Sequence, residues 1–99
     1  MPGSSEPDLG EVAAVLRRHL PSAGWHAWLF GSRATGRATP RSDWDIGILG
    51  PAPLRGAVLE AVREELETLR TLDTFDVVDL ARVPEGFRRV ALAGAVELL

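Results

Sequence analysis

The segment from residue 30 to residue 49 constrains this chain most, because it places a polar loop between two apolar runs. It reads F-G-S-R-A-T-G-R-A-T-P-R-S-D-W-D-I-G-I-L. After the loop, Asp43, Asp45 and Gly47 alternate with apolar residues. This alternation predicts a strand, since successive side chains of a strand point to opposite faces. The two aspartates are therefore expected on one face, about 6.5 Å apart.

Two short carboxylates at this spacing suit a divalent cation. Mg²⁺ prefers oxygen ligands and usually keeps other positions for water and phosphate. Pairs of such ions lie about 4 Å apart in enzymes that act on phosphoryl groups. Asp43 and Asp45 therefore predict a metal site that takes a polyphosphate.

The loop before the aspartates has the composition of a phosphate site. Gly31 permits close approach of the backbone to a ligand, and Ser32 is expected to cap a helical turn over residues 33–35. The N–H groups of such a turn attract an anion, and arginine adds positive charge. The predicted nucleotide-binding residues are Gly31, Ser32, Arg33, Arg41 and Ser42.

A P-loop is excluded by the residues after this turn. Gly31 and Gly36 have the spacing of the two P-loop glycines. Arg37 and Ala38 follow, however, where a P-loop requires lysine and then serine or threonine.

The ordered set G-S-x-A-x-G followed by S-D-x-D resembles the signature of the DNA polymerase beta superfamily of nucleotidyltransferases. The small size of the chain and the downstream segment F-D-V-V-D-L resemble the minimal nucleotidyltransferase (MNT) branch, whose members commonly act as antitoxins beside HEPN-domain toxins. The likeness covers nearly the whole chain. The matching residues are Gly31, Ser32, Ala34, Gly36, Ser42, Asp43 and Asp45, with residues 75–80 downstream.

The resemblance implies a third carboxylate, which in the superfamily stands on a strand next to the Asp-x-Asp strand. We assign this role to Asp76, with Asp79 as the alternative. The two residues would face opposite sides of a strand, so they cannot do the same job.

The resemblance also implies the chemistry. Two Mg²⁺ ions held by Asp43, Asp45 and Asp76 would support transfer of AMP from ATP to a hydroxyl of a HEPN toxin. One alternative is a non-catalytic antitoxin that acts by complex formation, against which three aligned carboxylates argue. Another is a nucleotidyltransferase acting on a small molecule or an RNA end, against which the absence of an acceptor domain argues.

Composition narrows the class of protein further. The net charge of −3 argues against direct nucleic-acid binding, although all 11 basic residues are arginine. The absence of cysteine excludes disulfides and thiolate metal sites. No apolar run approaches the ~18 residues of a membrane span, and no signal peptide is recognisable, so we expect a cytoplasmic protein.

The chain is expected to form one domain at residues 8–99, after a disordered N-terminus at residues 1–7. The predicted fold is α/β (α+β), with a mixed sheet of three or four strands, helices mainly on one face and the catalytic site on the other. In the last helix, Phe87, Val90 and either Leu92 or Ala91 are expected to point inward. Helices are predicted at residues 8–20, 54–72 and 85–93, and strands at residues 25–30, 43–49, 73–80 and 95–99.

Overall fold

A four-stranded mixed sheet organises the chain. The computed structural model describes residues 7–21, 23–39, 42–69 and 73–99. The strand order is β3-β2-β1-β4; β1 is antiparallel to β2 and β4, whereas β2 and β3 are parallel. The predicted fold class is confirmed. The elements are α1 (Leu9–His19), β1 (His26–Phe30), α2 (Ser32–Thr35), β2 (Trp44–Leu49), α3 (Gly56–Leu66), β3 (Phe75–Asp79), α4 (Glu85–Leu92) and β4 (Val96–Glu97).

Helix α1 begins where the sequence indicates. The Asp8 carboxylate accepts a hydrogen bond of 2.8 Å from the backbone N–H of Gly10, which satisfies a donor of the first turn. The helix ends at His19, shortly before Pro21. Of the residues predicted to be disordered, only Pro7 is described, and it is buried.

One face of the sheet is covered by α1 and α3. Its side chains come from alternate residues of β1, β2 and β3, as the period of two requires. Burial of this apolar surface is the main favourable contribution to folding. The core of this face consists of Val12, Val15, Leu16, Ala27, Ile46, Ile48, Leu54, Val62, Leu66 and Val77.

The opposite face is only partly covered. There α4 packs through Ala91 against Phe30 and Leu80, and these three residues are buried. Gly47 lies on this face, where a Cβ atom would stand 2.7 Å from the Leu80 side chain. The position is glycine because Leu80 fills the space.

Helix α3 is shorter than predicted at both ends. Leu54 is buried in extended chain before the helix starts at Gly56. After Leu66 the chain turns, and the Thr68 hydroxyl donates to the carbonyl of Glu65 at 2.7 Å. Such local side-chain bonds compete with helix continuation. The rest of the predicted helix, residues 70–72, lies outside the described residues.

The prediction that Phe87 and Val90 point inward is wrong. Phe87 is 47% exposed and Val90 is 76% exposed. The reason is that α4 meets the sheet through Ala91, and the neighbouring Val90 then lies about 100° away around the helix. Phe87 touches the sheet only through an edge-on contact with Phe30, with ring centroids 6.2 Å apart.

The outer strand β3 receives a side-chain cap. Arg63 of α3 donates a hydrogen bond of 3.0 Å to the backbone carbonyl of Val77.

No helix in the described part of the chain is both long and apolar enough to span a bilayer.

Asp79 is the buried charged residue of the sheet, and it lies on the face that α1 and α3 cover. Its carboxylate accepts hydrogen bonds from the backbone N–H of Leu54 at 2.9 Å and of Ala81 at 3.0 Å. Arg82 Nε donates to the same group at 3.2 Å. Asp79 therefore fixes the chain before α3 and the turn after β3.

We expect Asp79→Ala to lower the free energy of unfolding by about 2–4 kcal/mol, because it leaves buried donors without an acceptor. Urea denaturation followed by tryptophan fluorescence measures the change. Asp76→Ala is the matched control; because this carboxylate is exposed on the other face and lies beside Asp45, its removal should not lower the free energy of unfolding. Equal effects of the two substitutions would contradict the structural role of Asp79.

Candidate active site

Three aspartates lie where β2 and β3 begin. In the parallel register, Asp45 lies directly beside Asp76. Neighbouring strands are about 4.8 Å apart, so the two carboxylates share one face at close range. Asp43 immediately precedes β2 and is exposed, as is Asp76, whereas Asp45 is partly buried.

The register separates Asp76 from Asp79. Asp79 pairs with Ile48, whose side chain is in the core beneath α1 and α3, so the Asp79 carboxylate lies on the opposite face from Asp45. The structure therefore brings Asp76, and not Asp79, to the other two aspartates.

The three carboxylates interact electrostatically. Burial raises the pKa of the Asp45 carboxyl above its ordinary value, and the negative charges of Asp76 and Asp43 raise this pKa further. Like charges at such separations favour a bound cation, and carboxylate oxygens are the ligands that Mg²⁺ prefers. The donor set and its charge therefore fit a divalent metal ion.

The carboxylates do not form a ready-made metal cage. Within the described ranges, no three His, Cys, Asp or Glu side chains are grouped so that they could hold a metal ion. One oxygen of Asp43 accepts a hydrogen bond from the Thr74 hydroxyl, which leaves its second oxygen for a ligand. A cation would draw the three groups together from these positions.

Gly31 lies against Asp45 at the end of β1. Its φ is +75° and its ψ is −156°, a combination that is essentially restricted to glycine. A Cβ atom on Gly31 would stand 2.3 Å from Asp45 Oδ2. The polar loop therefore begins, directly after β1, in contact with Asp45, one of the carboxylates predicted to bind the metal.

Helix α2 begins directly after this glycine. Gly31 is its N-cap and Ser32 its first residue, so the expectation that Ser32 caps the turn is corrected by one position. The N–H groups of Ala34 and Thr35 bond to the Gly31 carbonyl at 3.1 and 3.2 Å. The N–H groups of the first turn have no acceptor within a helix, so they suit an anion.

The other predicted phosphate contacts have different surroundings. The guanidinium of Arg33 stacks over Trp44 and bonds to the Ser42 carbonyl and to Asp73, away from the face that carries Asp45. This placement differs from the expected phosphate contact. The Ser42 hydroxyl accepts from the backbone N–H of Thr39 at 2.9 Å. Arg41 lies outside the described residues.

An apolar pocket adjoins the carboxylate face. It has a volume of about 500 Å³ and lies between Gly31 and α4. The exposed side chains Phe87 and Val90 form its outer wall, and Phe30 and Thr35 contribute to the inner wall.

Sequence reasoning missed two residues that organise the site. Thr74 binds the Asp43 carboxylate, and Asp73 binds Arg33. Their positions follow from the pairing of β2 with β3, since the Trp44 N–H donates to the Thr74 carbonyl at 2.9 Å. The alternation of side chains along one strand gives no signal for contacts between strands.

The Gly31 contact predicts a specific loss of stability. We expect Gly31→Ala to lower the free energy of unfolding by about 3 kcal/mol, from backbone strain and from the collision with Asp45. Gly36→Ala is the matched control, because Gly36 also has positive φ, +78°, but nothing within 4 Å of a Cβ atom. It should lose only about 1 kcal/mol. Equal losses in denaturant titrations would refute the close contact.

The raised pKa of Asp45 predicts how stability depends on pH. The folded state binds the proton more tightly than the unfolded chain, so the ionised carboxylate destabilises the fold above its folded-state pKa. We expect Asp45→Asn to raise the free energy of unfolding at pH 7 by about 0.5–1 kcal/mol, by relief of cross-strand repulsion.

This gain should shrink as the pH falls toward 3.8, the ordinary aspartate value, because Asp45 is then protonated in the folded protein. Denaturant titrations at a series of pH values measure it. A gain for Asp45→Asn that is constant with pH would contradict the assignment.

Comparison with known proteins identifies the family. Residues 25–99 match the family described as polymerase beta, nucleotidyltransferase. The chain is 29% identical over 83 residues to the probable protein adenylyltransferase MntA of Haemophilus influenzae, which covers 84% of this chain and 71% of that protein.

Solved structures share the fold. A chain of a toxin–antitoxin crystal structure with AMP-PNP superposes with a TM-score of 0.78 at 22% identity, over 93% of this chain and 73% of that chain. A complex of the tri-AMPylated Shewanella oneidensis HEPN toxin with MNT antitoxin gives a TM-score of 0.64 at 19% identity, over 92% and 68% of the two chains. Because the family match spans residues 25–99, this chain belongs to the polymerase beta nucleotidyltransferase family.

Proposed function

We propose that this protein is a Mg²⁺-dependent adenylyltransferase that transfers AMP from ATP to a hydroxyl of a HEPN-domain toxin, and so acts as an antitoxin. The contact that carries the proposal is the approach of Gly31 to Asp45, with Asp76 beside Asp45 on the next strand. It sets a phosphate-binding turn against a cluster of carboxylates, which is the arrangement that nucleotidyl transfer needs.

In this proposal Asp43, Asp45 and Asp76 hold two Mg²⁺ ions. Bound there, the ions would neutralise phosphate charge and lower the pKa of the acceptor hydroxyl. Burial, together with the charges of Asp76 and Asp43, raises the pKa of Asp45, and a bound cation would favour the ionised carboxylate there. Asp79 is left out, because its carboxylate is already bonded to Leu54, Ala81 and Arg82.

The triphosphate is held at the start of α2. The backbone N–H groups of Ser32 and Arg33 donate to its oxygens, and the Ser32 hydroxyl adds a donor. The side chain of Arg33 takes no part, because it bonds to Ser42 and Asp73.

The transfer step is a displacement at phosphorus. The acceptor oxygen bonds to the α-phosphorus of ATP while the bond from that phosphorus to the departing pyrophosphate breaks. Asp76, which is exposed beside Asp45, accepts the proton of the hydroxyl. The new bond forms and the old bond breaks beside Asp43, Asp45 and Asp76, where β2 and β3 begin.

A protein acceptor suits the open side of the site. The apolar pocket next to Gly31 ends in the exposed Phe87 and Val90, and these side chains would be covered by a docked protein. The Haemophilus relative is named for protein adenylylation, and the Shewanella complex contains an AMPylated HEPN toxin. These relationships favour a toxin hydroxyl, for instance that of a tyrosine, over a small molecule or RNA.

The proposal predicts that a HEPN protein is encoded beside this chain, and we expect that protein to gain one AMP, or a small number of them, when the two are co-expressed. Intact-mass spectrometry measures the gain. Asp43→Asn and Asp45→Asn should abolish it, because each removes a charged ligand, while Glu64→Gln on the surface of α3 should retain it.

Chelation of divalent cations should stop transfer by the purified protein, and added Mg²⁺ should restore it. A stable complex with an unmodified toxin, unaffected by Asp43→Asn, would overturn the catalytic proposal in favour of inhibition by binding.

A further inference from the structure

The side chain of Arg33 is one of the most enclosed cationic groups near the site. It is 12% exposed, and its central carbon lies 4.6 Å from the ring centroid of Trp44. The guanidinium donates to the Ser42 carbonyl through Nη2 at 3.0 Å and through Nε at 3.3 Å. Nη2 also reaches Asp73 Oδ1 at 3.4 Å. Three residues from two chain segments, Ser42 and Trp44 on one and Asp73 on the other, therefore contact one planar cation.

These contacts lie close to Asp43, one of the metal-ligand candidates. Ser42 directly precedes Asp43, and Asp73 directly precedes Thr74, whose hydroxyl bonds to Asp43. The Thr74 carbonyl accepts the N–H of Trp44, the residue on which Arg33 stacks. Arg33 thus links α2 to the start of β2 and to the segment that leads into β3.

Helix α2 needs such a link because its ends are permissive. It has four residues and lies between Gly31 and Gly36, both with positive φ. Glycine restricts the backbone less than any other residue. The hydroxyl of Thr35 bonds only within the turn, to the carbonyls of Gly31 and Ser32, so it does not anchor the turn to the strands.

Arginine suits this task better than lysine does. A guanidinium can stack on an aromatic face and donate from its edge in fixed directions at the same time, whereas an ammonium is a compact point charge. Asp73, with its side chain 9% exposed, balances the charge. A lysine would keep the positive charge but lose the fixed directions of the guanidinium hydrogen bonds.

We infer that Arg33 is a positioning residue, which holds the phosphate-binding turn α2 in register with Asp43 and the start of β3 without itself touching the nucleotide. The inference rests on the proposed transferase function. It adds that Arg33 sets the distance between the phosphate site and the carboxylates. A direct phosphate contact and a positioning role predict different kinetics.

The test compares Arg33→Lys with Arg37→Lys, a matched change at an exposed arginine of the same loop. The kcat and the KM for ATP are measured for AMP transfer to the partner HEPN protein at a temperature where urea titration finds all variants folded. Arg33→Lys should lower kcat about tenfold or more and change KM less than about threefold, and Arg37→Lys should change neither. A wild-type kcat, or a rise in KM alone, would overturn the inference.

Asp73→Asn tests whether the effect passes through the same contact. It should also lower kcat, and the double variant with Arg33→Lys should be no worse than the poorer single variant, because coupled residues are not additive. Independent multiplication of the two defects would count against a shared link.

A readout without catalysis separates this inference from the proposed function. Amide hydrogen exchange at Trp44, whose N–H is bonded to Thr74, should be about tenfold faster in Arg33→Lys than in Arg37→Lys. If wild-type protein transfers no AMP, the proposed function fails while the exchange data still decide the link. Equal exchange rates in the two variants would show that Arg33 does not hold these segments.

Discussion

The site depends on one contact, the approach of the Asp45 carboxylate to a backbone position that has no room for a side chain. Because Gly31 has no Cβ atom, the chain can pass close to Asp45 at the end of β1 and start a helical turn at once. The first N–H groups of α2 are then brought close to the carboxylates. The candidate phosphate site and the candidate cation site are thus neighbours, because strands β1 and β2 pair with Phe30 opposite Asp45.

The two faces of the sheet have different roles: one forms the core beneath α1 and α3, and the other carries the candidate site. Asp76 and Asp79 are three residues apart on the same strand, yet one is exposed beside Asp45 and the other is buried beneath the helices. The buried carboxylate is satisfied by backbone and arginine donors, whereas the partly buried Asp45 has the negative charges of Asp76 and Asp43 beside it. Unrelieved repulsion is a cost that a folded protein retains where a ligand will offset it.

Local patterns predicted much of this arrangement. Period-two alternation placed Asp43 and Asp45 on one face, and the order of glycine, serine and aspartate indicated the loop between the strands. The choice between Asp76 and Asp79 required the register of two parallel strands, which alternation does not supply and for which the family resemblance was needed. Arg33 was predicted as a phosphate contact because it is a positive charge near a phosphate loop, whereas its packing against Trp44 depends on tertiary structure that the sequence pattern does not supply. Phe87 and Val90 were misread because helical periodicity identifies an apolar face without saying whether this chain covers it.

The cap that Arg63 places on Val77 has a consequence for association between molecules. Strand β3 ends the sheet on one side, and an outer strand with unpaired carbonyls can recruit a strand from another chain. By occupying one of these carbonyls, a side chain from α3 hinders growth of the sheet in that direction. The outer edge of β3 is therefore less accessible to a strand from another chain, and the face of β3 that carries Asp76 stays exposed to ligands.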